Sequence, residues 1–186
     1  MWAGSRLRLA VVLALASVLG ASAQEGSETM KLTSTAFAAG GSIPSRHTCD
    51  GEDVSPPLAW GAPPRGTKSF ALIVDDPDAP DPKAPRTVWV HWVVYDLPAG
   101  ARSLREGVRT NADLPKDARM GRNDWGKAAW GGPCPPVGRH RYFHKLYALD
   151  VALGERGALT KRELEAALKG HMLAQAELVG TYERGR

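Results

Sequence analysis

Gly131-Gly132-Pro133-Cys134-Pro135-Pro136-Val137-Gly138-Arg139-His140-Arg141-Tyr142 begins as a stiff loop and ends as a strand. Glycine permits tight backbone turns, and proline fixes φ and so lowers the entropy of holding a rim open. From His140 onward the chain is rich in large apolar and aromatic residues, with Tyr142, Phe143, Leu146 and Tyr147 before Leu149. A strand over His140–Leu149 places His140 and Tyr142 on one face and Arg141 on the other, where a carboxylate partner would hold it.

Strand periodicity recurs on both sides of this segment. Ala174, Ala176, Leu178, Gly180 and Tyr182 share one parity and Gln175, Glu177 and Thr181 the other, which predicts a half-buried final strand. Upstream, Lys68–Asp75 is an apolar run stopped by an Asp/Pro cluster, and Val88–Leu97 is rich in Val, Trp and Tyr before Pro98. One helix is predicted. Thr160-Lys161-Arg162-Glu163 has the form of a capping box, Leu164, Ala167 and Leu168 follow at helical spacing, and Gly170 supplies a stop. Strands separated by Pro/Gly turns with a late helix predict a mainly β, antiparallel β-sandwich rather than alternating βαβ units.

Composition narrows the function. The chain has 186 residues, 43% hydrophobic and 24% charged, which suits one ordinary domain and excludes disordered, collagenous or coiled-coil classes. Its formal charge is +4, and Arg6 and Arg8 of the first 23 residues account for half of it, so a nucleic-acid partner is not expected. Those residues read as a secretory signal: a basic start, the apolar stretch Leu9–Leu19, and Ala21-Ser22-Ala23 before Gln24. The stretch is shorter than the roughly 20 residues a membrane span needs, so stable insertion is not expected. The expectation is a signal over 1–23, cleavage near Ala23/Gln24, and a single domain over 24–186 in the periplasm or outside the cell. Two cysteines, Cys49 and Cys134, are too few for a four-thiolate zinc site. They pair as a disulfide in an oxidising compartment or stay as two buried thiols.

Two further clusters carry chemistry. Asp75-Asp76-Pro77-Asp78-Ala79-Pro80 gathers three carboxylates at the mouth of a strand. Trp89-Val90-His91 sets an aromatic wall beside an imidazole, because residues i and i+2 of a strand face the same way. Asp76, His91 and His140 are a possible acid–base or metal-assisted hydrolase set; against it, no Ser, Cys or Lys nucleophile stands out and no close-spaced His pair is present.

Together with Cys49-Asp50-Gly51-Glu52-Asp53-Val54-Ser55-Pro56-Pro57-Leu58-Ala59-Trp60, Val90-His91-Trp92, Tyr147-Ala148-Leu149-Asp150 and Gly180-Thr181-Tyr182, these clusters resemble the phosphatidylethanolamine-binding protein family, in particular its bacterial Raf-kinase-inhibitor-like branch. The resemblance runs from Met30 to Glu183. It implies a β-sandwich with a small anion pocket at one end, able to hold phosphate, acetate or a phospholipid headgroup, with no cofactor or metal and no catalytic residue. By motif position it implies ligand contacts from Asp76, Asp78, Pro80, Trp89, His91, Gly132, Pro135, Pro136, His140 and Tyr142. It also implies a protein partner that the chain modulates or inhibits, for which a secreted hydrolase suits an exported protein better than a kinase. The segment Pro136–Gly138 is shorter than in animal members, so headgroup preference does not carry over. In such a pocket, Gly-rich backbone amides, imidazoles and a phenol donate to the anion, while Asp76 orients one imidazole or keeps it positive. Affinity then falls as pH rises through the histidine range.

Overall fold

The computed structural model describes Met1 and residues 30–185, so the expected signal over 1–23 lies outside the described residues. Among the described residues eight strands form two antiparallel sheets. The large sheet has the order β6–β4–β3–β7–β8, with β3 at Ser69–Asp76, β4 at Trp89–Pro98, β6 at Arg119–Met120, β7 at His140–Leu149 and β8 at Met172–Tyr182. The small sheet is β1–β2–β5, from Leu32–Thr33, Leu58–Trp60 and Ser103–Leu104.

The patterns of side chains explain the layering. β3 is buried along its whole length, since Phe70, Leu72 and Val74 pack on one face and Ala71 and Ile73 on the other. A central strand covered on both sides reads as a continuous apolar run. On the first face the small sheet closes the sandwich with Leu32, Leu58, Trp60 and Leu104. On the second face lies helix α1, Lys161–Leu168. Its Thr160 caps the amide of Glu163 while the Glu163 side chain returns to the Thr160 amide. Leu164 and Leu168 are buried against Ile73, Val93, Tyr95 and Tyr147, worth roughly 2 kcal/mol each. Lys161 of the helix and Lys145 of β7 both reach the fully buried Asp75, at 2.6 and 2.8 Å, and neutralise it where β3 ends. Gly170, at φ 79°, turns the chain from α1 into β8, whose Ala176, Leu178, Gly180 and Tyr182 face inward as their parity requires. Among the described residues no helix is long and apolar enough to cross a membrane.

One irregularity positions a functional side chain. Val74 pairs with Trp92 but Asp75 pairs with Val90, so β4 carries an extra residue, His91, opposite β3. Simple alternation from Val93, which faces the helix, would send His91 to the helix side as well. The bulge instead puts His91 on the same side as Trp92, where its ring meets Tyr142 edge-on at 5.1 Å.

Candidate functional site

At the end of the large sheet, where β3 finishes and β4 and β7 begin, a cavity of about 300 Å³ is lined by Asp76, Pro80, Trp89, His91, Pro135, Pro136, His140 and Tyr142, together with Ala79, Trp125 and Cys134. Eight of the ten residues expected in a ligand site therefore share one hollow. A larger hollow of about 510 Å³ adjoins it across Pro135 and Pro136, but its remaining walls are loop and C-terminal residues.

The other two expected ligand residues are spent elsewhere. Asp78 accepts from the backbone N–H of Arg141 at 2.9 Å and from its guanidinium at 2.7 and 2.9 Å. That pairing holds the Asp78 carboxyl below its ordinary range and fixes the acidic turn to the start of β7. Gly132 donates its N–H to Asp53 Oδ1 at 2.7 Å, behind the rim. A Cβ on Gly132 would stand 2.4 Å from that oxygen and 2.6 Å from the carbonyl of His47, so the glycine is there for close packing. Gly131 likewise donates to the carbonyl of His91 at 3.1 Å. The amides of these two glycines are thus committed within the chain rather than offered to an anion, unlike the expectation for the pocket that the resemblance implies.

Asp76 does orient one imidazole, that of His140, but the two rings differ from the expectation as donors to an anion. His140 Nε2 lies 3.0 Å from the carbonyl of Val137, and since a carbonyl only accepts, Nε2 carries a hydrogen. Its Nδ1 lies 2.7 Å from Asp76 Oδ2, with one proton between them. Burial pushes the Asp76 carboxyl up, and the hydrogen bond from His140 opposes this. Asp76 Oδ1 accepts from the Asp78 N–H at 2.8 Å. Both nitrogens of His140 are therefore held internally. His91 Nδ1 donates to the carbonyl of Gly131 at 2.6 Å. Burial lowers the His91 pKa to about 4, although the Gly131 carbonyl works in the other direction, so the ring is neutral near pH 7 and its Nε2 is an acceptor.

What remains to donate is neutral. Tyr142 is buried, its Oη has no partner among the described residues, and burial pushes the phenol upward, so it keeps its hydrogen. Trp89 Nε1 is likewise buried without a partner. Among the described residues no lysine or arginine lines the cavity.

Trp125 and Asn123 were not singled out from the sequence. Asn123 Oδ1 accepts from the amides of Trp125 and Lys127, and its Nδ2 donates to the carbonyl of Ala129 at 2.9 Å. The resulting loop hangs on β4 through Asp124, which exchanges hydrogen bonds with Val90. It lays Trp125 edge-on to Trp89 and His91, with ring centres 5.3 and 5.2 Å away. The Asn-Asp-x-Gly turn chemistry was the available signal. Cys49 and Cys134 are joined in a disulfide that ties the rim to the segment preceding β2. Among the described residues no group of three His, Cys, Asp or Glu side chains is arranged to hold a metal ion.

Comparison with known proteins bears on the family and the fold. The family model described as phosphatidylethanolamine-binding protein matches residues 33–183. A UPF0098 protein of Methanothermobacter thermautotrophicus is 47% identical over 156 residues, covering 84% of this chain and 100% of its own. The crystal structure of CT736 from Chlamydia trachomatis, described as a homologue of phosphatidylethanolamine-binding protein, is similar at TM-score 0.77 and 42% identity, covering 86% of this chain and 100% of that one. YbcL of Escherichia coli, described as a new member of the mammalian family, is similar at TM-score 0.76 and 33% identity, covering 84% of this chain and 99% of that one.

Proposed function

The chain belongs to the phosphatidylethanolamine-binding protein family, and on that premise we propose that it is an exported binding protein whose cavity receives a small phosphate-bearing group, free or as a phospholipid headgroup. The observation that carries this reading is the pair of buried, unpartnered donors, Tyr142 Oη and Trp89 Nε1, on residues lining one cavity. A buried donor without a partner costs about 1–3 kcal/mol, and a ligand oxygen removes that cost on binding. Binding is favoured over turnover because His140 is held at both nitrogens, Cys134 is in a disulfide, and the described residues that line the cavity include no serine, threonine or lysine. The leader-like residues 1–23 support export.

The test is calorimetric titration with O-phosphoethanolamine. Wild-type protein binds saturably at one site. Tyr142→Phe removes a hydroxyl with no internal partner, so it leaves folding stability unchanged or slightly higher while weakening binding about ten- to a hundredfold, the worth of a hydrogen bond to a charged group. Absence of saturable binding, or equal affinity in the variant, contradicts the reading.

A further inference from the structure

We propose that the cavity selects the singly ionised phosphate monoester, whose own P–O–H is the donor that satisfies His91 Nε2, and discriminates against sulfate esters and against the phosphodiester of an intact phospholipid. This rests on the reading of the cavity as a phosphate site and goes beyond it by naming the class of phosphate.

The inference follows from counting donors and acceptors on the wall. Tyr142 Oη and Trp89 Nε1 are the buried side-chain donors of the wall that have no partner among the described residues. The Nδ1 hydrogen of His91 goes to Gly131, and both nitrogens of His140 are committed to Asp76 and Val137. His91 Nε2 therefore presents a lone pair, while Asp76 and His140 share a proton as a pair with no net charge. An anion whose oxygens only accept meets two donors but also places oxygen against a lone pair. An anion with one O–H meets all three groups in the correct sense.

The titratable and charged groups around His91 do not reverse this. Asp75 of β3 is held by Lys145 and Lys161, and Asp76 by His140. On β7, Tyr142 keeps its hydrogen and burial lowers the pKa of His144 to about 4. In the adjoining loop Asp124 is bonded to the Val90 amide. None of these supplies His91 with a compensating free carboxylate partner.

A polar site left unpaired by an analogue lacking the matching hydrogen rejects it strongly, more so than a pocket distinguishes apolar groups. Methyl phosphate and methyl sulfate are the probes, because near pH 5.5 both are singly charged and nearly isosteric, and only the phosphate carries an O–H. Calorimetry on the wild-type protein is expected to show methyl phosphate binding at least tenfold more tightly than methyl sulfate. As the pH rises above the second ionisation of the monoester, near pH 6, its affinity falls toward tenfold per unit, while that of methyl sulfate does not follow the same curve. Glycerophosphocholine, a diester without N–H or O–H on its charged groups, represents the lipid source and binds at least tenfold more weakly than methyl phosphate.

Equal affinity for methyl phosphate and methyl sulfate overturns the proton-based selection and leaves the phosphate site standing. Glycerophosphocholine binding as tightly as methyl phosphate overturns the choice of monoester over lipid headgroup. No binding of methyl phosphate or O-phosphoethanolamine overturns the phosphate site itself, and the selection with it.

Discussion

His91 shows how one position joins fold to chemistry. The bulge in β4 turns it to the cavity, the Gly131 carbonyl fixes its tautomer, and burial keeps it neutral. His144, two residues beyond Tyr142 and fully buried, is held neutral by the same desolvation, with a pKa near 4. Both therefore bear on stability. Unfolded histidines protonate near pH 6.5, so between about pH 6.5 and 4 the unfolded chain binds more protons than the folded one, and stability falls as pH falls. The loss is on the order of several kcal/mol in total. Urea unfolding midpoints should drop between pH 7 and pH 5; a constant or rising midpoint would show that these rings are not buried neutral. The sequence placed Trp89 and His91 side by side through two-residue periodicity, but that reasoning carries no information on ring protonation, which burial and a carbonyl from the following loop decide.

The elements were legible in proportion to their periodicity. β7 and β8 carry ten and eleven residues, and the bounds of β7 coincide with those read from the sequence. β3 and β4 are displaced from the expected runs by one residue at each end. The capping box at Thr160 set the start of α1. The small sheet was not legible, because strands of two or three residues are too short to show an alternation. The rim loop was recognised as rigid, but the reason is packing against its neighbours as well as proline. Gly132→Ala, which drives a methyl group into Asp53 and the His47 carbonyl, should lower stability by about 1–3 kcal/mol in equilibrium denaturation. A variant as stable as wild type would mean that the rim does not dock on that segment. Asp78 illustrates a different limit: three acids in four positions look alike in sequence, yet Asp75 meets two lysines, Asp76 a histidine and Asp78 an arginine, and only Asp76 lines the cavity.

Across the whole molecule, the cavity is assembled from segments far apart in sequence and fastened by the Cys49–Cys134 bridge, whose cysteines are 85 residues apart. A loop of that length contributes about 4–5 kcal/mol in the chain-entropy account. Reduction should lower the unfolding free energy by an amount of that order, read from denaturant curves with and without reductant; unchanged curves would show that the bridge does not constrain the unfolded chain. Because Cys134 also lines the cavity, reduced protein should lose affinity for phosphate together with stability. The most direct examination of the central claim is a crystal structure of the protein grown with methyl phosphate near pH 5.5. The phosphate should occupy the cavity, with oxygens about 3 Å from Tyr142 Oη, Trp89 Nε1 and His91 Nε2. Phosphate bound only at other surfaces, at a concentration sufficient to saturate it, would contradict the account.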